Sequence, residues 1–297
     1  MSARGPGRGT LGWMSGRASE ERPSPDTGVV GSARRKTPLG LAITVAGRYR
    51  RGACIAQGGS SSVHRATVLA TNAEVALKSY HLHRAFDPAL VPSLEAGRVF
   101  ASRVGADAMV PVLDVGTDDD GTPFVVMPLL EGETFGSILD RSGALPVLEA
   151  ISLARRALVS IDVMHAAGMT HGDPSPDNLF VRRDGRVLLL DHEGLGEVGA
   201  ARAARTTEGY GRSGGVRELR DDHRALAAIA AMLAGRAGPP PPDEAIDDFL
   251  RALREGHDEA AARALGLTAV RRRWRWLMGA LFVSSLAALA GRGLGLY

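Results

Sequence analysis

The dominant hydrophobic pattern shifts from strand-like to helical near Glu131, and that shift constrains the fold more than any other feature of the chain. From about Arg48 to Val126 the sequence runs in short segments of β-type composition: Ala53–Ile55, Val63–Leu69, Glu74–Tyr80, Val110–Gly116 and Phe124–Met127. One helical stretch, Pro92–Val104, interrupts them, and the acidic turn Asp118-Asp119-Asp120-Gly121 reads as a hairpin loop. Beyond Glu131 apolar residues recur at three- and four-residue spacing over Thr134–Arg141, Leu148–Ala167, Asp222–Leu233 and Asp243–Arg254. Two short strands, Leu179–Val181 and Val187–Leu190, interrupt this region around the turn Arg183-Asp184-Gly185. A strand-rich first lobe followed by a helical second lobe predicts an α+β fold.

The two ends differ from this middle. Residues 1–40 are rich in Gly, Arg, Ser and Pro without apolar periodicity, which predicts a disordered basic arm. Residues 41–130 are expected to form the first lobe and 131–270 a shortened second lobe. At 271–297 the cluster Arg271-Arg272-Arg273-Trp274-Arg275-Trp276 precedes the uncharged run Leu277–Ala290. Arginines beside an apolar run, with aromatic residues at its edge, predict a single-pass membrane anchor that holds the folded part at the cytoplasmic face of the cell membrane. The net charge of +3 hides this distribution. Residues 1–50 carry +6 and residues 271–297 carry +5, so the 220 residues between them sum to −8. An acidic core argues against nucleic acid as a partner. Cys54 is the single cysteine, which excludes an internal disulfide.

The densest chemical signal is His171-Gly172-Asp173-Pro174-Ser175-Pro176-Asp177-Asn178, placed after a helix and before a strand. Thirteen residues beyond Asn178, at the end of an apolar strand, stands Asp191. Phosphoryl transfer needs such a set: one carboxylate to orient the attacking hydroxyl, and an amide with a second carboxylate to hold Mg²⁺.

With these residues the chain resembles the protein kinases, especially the bacterial Ser/Thr kinases, over about residues 48–235. Ile55-Ala56-Gln57-Gly58-Gly59-Ser60-Ser61-Ser62-Val63 looks like their phosphate-covering loop, and Val75-Ala76-Leu77-Lys78 like the strand with the ATP-binding lysine. The resemblance makes Glu95, 17 residues later, the ion-pair partner of Lys78. Phe124–Gly132 looks like the hinge, with Met127 as gatekeeper and the Pro128 carbonyl and Leu130 backbone as adenine contacts. Asp222-His223-Arg224 matches the helix whose aspartate braces the catalytic loop from below. The resemblance thus implies a two-lobed kinase-like fold using ATP with Mg²⁺ or Mn²⁺. Asp173 would orient the substrate hydroxyl, Lys78 would hold phosphates, and Asn178 with Asp191 would hold the metal. Ile55, Gly58, Gly59, Ser60, Ser61, Val63, Ala76, Met127, Pro128 and Leu130 would line the nucleotide site.

Several positions depart from the pattern. Ala56 and Ser61 stand where the loop has glycines, and Ser175 stands where most Ser/Thr kinases have a lysine. Gly172 replaces an arginine, which implies that no cation there grips a phosphorylated loop. The metal motif reads Asp191-His192-Glu193, so His192 must fill an apolar slot, while Glu193 is expected to be solvated rather than a metal contact. No Ala-Pro-Glu motif follows. The expected activity is phosphate transfer from ATP to a protein hydroxyl. The alternatives are a scaffold pseudokinase and a small-molecule phosphotransferase of the aminoglycoside- or choline-kinase kind.

Overall fold

Glu74–Tyr80 alternates sides as a strand should, and a single register through it explains the first lobe. The computed structural model describes residues 43–201, 215–236, 238 and 241–268; the arm 1–40 and the tail 271–297 lie outside the described residues. Six strands make one antiparallel sheet: β1 (Thr44–Val45), β2 (Tyr49–Gln57), β3 (Ser61–Val68), β4 (Glu74–Tyr80), β5 (Asp114–Thr117) and β6 (Pro123–Pro128). Their spatial order is β1-β2-β3-β4-β6-β5. In β4, Lys78 lies opposite Val63 on one side and Val125 on the other, and Ala76 lies opposite Met127. Residues paired in this way share a face, so Val63, Ala76, Lys78, Val125 and Met127 point together. The opposite face buries Val75, Leu77, Phe124 and Val126 with Tyr49 and Val45.

Helices α1 (Leu82–Ala85) and α2 (Leu90–Val104) follow β4. The second buries Leu90, Leu94, Gly97, Ala101 and Val104, a stripe at three- and four-residue spacing. Its first two members pack with Tyr80, Val115 and Val125 on the Lys78 face of the sheet. Beyond the hinge lie β7 (Gly132–Thr134), α3 (Phe135–Ser142), α4 (Val147–Ala166) and β8 (Met169–Thr170). A 3-10 turn, Pro176–Asn178, leads into β9 (Leu179–Arg182), β10 (Val187–Leu189) and β11 (Gly196–Glu197). The helices α5 (Leu219–Leu233), α6 (Asp243–Arg254) and α7 (Asp258–Ala264) complete the described fold. β10-β9-β7 form a three-stranded sheet, and β11 pairs with β8.

One continuous core runs through this lobe, joining Phe135, Ile151, Ile161, Met164, Leu179, Leu189, Leu226, Ile246 and Phe249. Truncating Phe249 to alanine would cost about 3–5 kcal/mol by cavity formation. Helix α5 begins with a capping box, in which Glu218 and Asp221 each accept from the other's backbone N–H. That box fixes the register of the next residue, Asp222. Among the described residues no helix is long and apolar enough to cross a membrane.

Candidate active site

The catalytic loop is held from below by one buried carboxylate. Asp222 is fully buried; its Oδ2 accepts from the His171 backbone N–H at 2.9 Å and its Oδ1 from the Gly172 N–H at 2.8 Å. The His165 imidazole also bonds Oδ2 through Nε2, at 2.9 Å. Burial alone would raise the Asp222 carboxyl, but the His165 bond, the charges of His165 and His171 and the Gly172 N–H hold it below the usual carboxylate range. His171 passes the restraint on, since its ring Nε2 donates to the Leu190 carbonyl at 2.7 Å. The Asn178 amide donates to the Asp173 carbonyl at 3.1 Å and closes the loop. The spacing therefore places Asp173 and Asn178 in one loop, and that loop is tied to the strand end that carries Asp191.

Gly172 has φ of 80°, a conformation that favours glycine. A Cβ there would also fall 2.6 Å from the Arg217 guanidinium and 2.8 Å from the Gly194 carbonyl. Arg217, nine-tenths buried, donates to Gly194. Arg217, from the chain just before α5, thus brings a buried guanidinium to this corner. Sequence spacing gave no sign of it, because its approach is made by the fold.

Across the cleft, Lys78 Nζ bonds Asp191 Oδ1 at 3.0 Å, joining β4 to the metal motif 113 residues away. Glu193 lies 3.7 Å from the same ammonium through Oε1, and its Oε2 takes the Arg84 guanidinium at 2.6 Å. In this structure Glu95 and Glu193 are both paired otherwise than expected. Glu95 bonds Arg98 at 2.8 Å on an exposed flank of α2, while the ion pairs of Lys78 among the described residues are with Asp191 and Glu193. The buried stripe of α2 explains this, because rotating Glu95 inward would turn Leu94 and Gly97 out. Glu193 is an ion-pair partner and not a solvated side chain. Burial would lower the Lys78 ammonium, yet Asp191 and Glu193 outweigh it and raise it. The same ammonium holds Asp191 far below the usual carboxylate range against the effect of burial.

The backbone of Asp191 is left-handed, φ 64°, which costs a non-glycine residue about 1 kcal/mol or more. The Lys78 bond and the Glu193 N–H, 3.3 Å from Oδ1, fix it there. His192 fills a buried slot and donates from Nε2 to the Val110 carbonyl at 2.8 Å; burial lowers its pKa. Helix α2 meets this loop directly, since a Cβ on Gly97 would lie 2.6 Å from the His192 carbonyl oxygen.

The other predicted nucleotide contacts are spread along the cleft roof and hinge. Val63, Ala76 and Met127 share the Lys78 face, while Ile55 is 50% exposed on the outer part of β2. Gly58, Gly59, Ser60 and Ser61 form the β2–β3 turn, closed by Gly58 N–H to Ser61 at 2.9 Å. His81 anchors it, through N–H to Ser60 at 2.8 Å and Nδ1 to Gly59 at 3.1 Å. Pro128 ends β6, and Leu130 lies on the hinge beside a polar cavity of about 560 Å³ with Arg65, Gly132 and Val181. Ser175, within the catalytic loop, is buried.

Asp191 and Asn178 offer carboxylate and amide oxygens, a hard donor set suited to Mg²⁺ or Mn²⁺. Both bonds to Asp191 use Oδ1, and neither uses Oδ2. A second group of potential ligands, Asp162, His165 and His223, lies behind the loop. There Arg254 already grips both oxygens of Asp162, at 2.7 and 3.0 Å.

No family model matches the chain. The serine/threonine-protein kinase PknL of Mycobacterium bovis is 34% identical over 160 residues, 54% of this chain and 39% of that protein. PksC of Streptomyces coelicolor, another serine/threonine-protein kinase, is 30% identical over 152 residues, 49% of this chain and 27% of that protein. The chain thus spans well under half the length of these relatives. The PknI kinase domain of Mycobacterium tuberculosis superposes with a TM-score of 0.54 at 21% identity, over 77% of this chain and 98% of that domain. In fold this chain is similar to the PknI kinase domain, and over about half of its length its sequence is similar to bacterial serine/threonine-protein kinases.

Proposed function

We propose that the chain transfers the γ-phosphate of ATP to a serine or threonine hydroxyl of a protein, with Mg²⁺ or Mn²⁺ as cofactor. The observation that carries this reading is the contact of Lys78 with Asp191 at 3.0 Å, facing a catalytic loop that Asp222 braces. Asn178 and Asp191 would hold the divalent cation, which neutralises phosphate charge when bound. Lys78 binds phosphate oxygens as a buried, fully charged ammonium. Asp173 orients the acceptor hydroxyl and takes its proton. The Val63–Ala76–Met127 face excludes water from one side of the nucleotide.

The test is γ-phosphate transfer by the full chain, to itself and to a generic basic protein. Asp173→Asn and Lys78→Met should each lose at least a hundredfold in rate; transfer that persists in both variants removes the assignment. A pseudokinase is favoured by one observation, the Glu193 carboxylate beside the phosphate-binding lysine. Nucleotide binding by the wild-type chain without any transfer would select that reading. We further propose that 271–297 tethers the protein to anionic membrane, each arginine adding about 1 kcal/mol of attraction. A 271–297 fusion that fails to sediment with anionic vesicles would remove the tether.

A further inference from the structure

We infer that Glu193, clamped by Arg84, is the positioning residue for Lys78, in the role the family resemblance assigns to Glu95; the inference rests on the nucleotide-binding reading above. One carboxylate bridges two cations, Oε2 to Arg84 at 2.6 Å and Oε1 toward Lys78 at 3.7 Å. All three side chains are mostly buried, with 22, 12 and 15% of their surface exposed respectively. Arg84 lies on α1, six residues after Lys78, so the clamp closes on the strand that carries the lysine.

Charge explains why one acid is not enough. Lys78 and Arg84 bring two positive charges into this corner, and Asp191 and Glu193 bring two negative ones. Asp191 belongs to the cation-binding pair, so its charge is shared when the site is filled. Glu193 has both oxygens engaged by Arg84 and Lys78, which makes it a poor metal contact and a fixed point for the ammonium. A partly buried cation left without its acid is costly. Lys78 is thereby set by the loop that carries Asp191 and not by the rotation of α2, whose Glu95 faces Arg98. The sequence signal was the acid two residues after Asp191, and the missing piece was Arg84.

The experiment titrates a fluorescent ATP analogue against the full chain, once with Mg²⁺ and once with EDTA. Variants are Glu193→Gln, Glu95→Gln, Lys78→Met and the Lys78→Met/Glu193→Gln double. Glu193→Gln should weaken binding about tenfold in both conditions, and more than Glu95→Gln does. The double variant should bind no more weakly than Lys78→Met alone, since residues acting through one contact are not additive. Arg84→Gln, which leaves the loop untouched, should shift affinity in the same direction and carries the test if Glu193→Gln does not fold. Additive losses, a larger effect at Glu95, or a loss seen only with Mg²⁺ would each overturn the inference; the last would make Glu193 a metal ligand. A wild-type chain that binds no nucleotide would overturn the functional reading and this inference with it, whereas wild-type binding unchanged in Glu193→Gln would overturn the inference alone.

Discussion

The floor and the roof of the cleft are built by different physics. Below, Asp222 takes two backbone N–H groups and one imidazole, all buried and within 2.9 Å. Above, Lys78 is held by side-chain ion pairs and lies over the Tyr80 ring, in a corner still partly open to solvent. Backbone bonds to a buried carboxylate leave little freedom in which residue plays the part. Side-chain ion pairs can be made by any acid that reaches, and here the acid comes from another segment. The floor therefore keeps the brace implied by the family resemblance, while in the roof of this structure Lys78 pairs with two acids of the Asp191 loop.

The largest expected effect breaks the floor. Asp222→Ala strands two backbone donors and an imidazole in the interior, and should cost about 3–5 kcal/mol in urea unfolding. A loss below 1 kcal/mol would mean the brace is incidental. Next comes the joint between the halves. Gly97→Leu forces α2 off the His192 backbone and should cost about 1–3 kcal/mol. An unchanged midpoint would show that α2 does not rest on the metal loop.

A pH series sharpens the contrast further. Burial, with help from His165 and Arg254, pushes His223 down from 6.5 to about 4. The unfolded chain therefore takes up the proton first, and stability falls as pH drops from 6.5 toward 4, then levels. The loss is at most about 3 kcal/mol, less what solvent screening removes. His223→Leu should flatten the melting temperature over that window; an equally steep fall would place the titration elsewhere. The smallest effect is expected on the exposed flank. Glu95→Ala removes only an i,i+3 pair with Arg98 and should change stability by less than about 0.5 kcal/mol. A larger change would return Glu95 to the core of the site.

This contrast also sets what was legible in the sequence. Strand Glu74–Tyr80 and helix Asp243–Arg254 are found at the expected boundaries, because their periodicity is strong and their ends are marked. The turn at Gly121 and the turn at Gly185 were visible for the same reason, both glycines having positive φ. Strands β1, β7, β8 and β11 have only two or three residues each, and tertiary pairing defines them. Val110–Leu113, expected to be strand, is instead an extended segment that Val110 fastens to Leu189. In the site, Asp222 was readable because its helix and its loop are both local patterns. The partner of Lys78 was not. Seventeen positions and a helix fit Glu95 well, but the buried stripe of α2 decides which way that residue faces.

Hydrogen exchange with and without Mg²⁺ and ATP tests the two-part account most directly. The His171 and Gly172 amides, bonded to buried Asp222, should be strongly protected without ligand. Added nucleotide should slow exchange chiefly in the Ile55–Val63 hairpin and at the hinge amides near Leu130. Free exchange at His171 and Gly172, or no new protection in the hairpin and hinge, would contradict it.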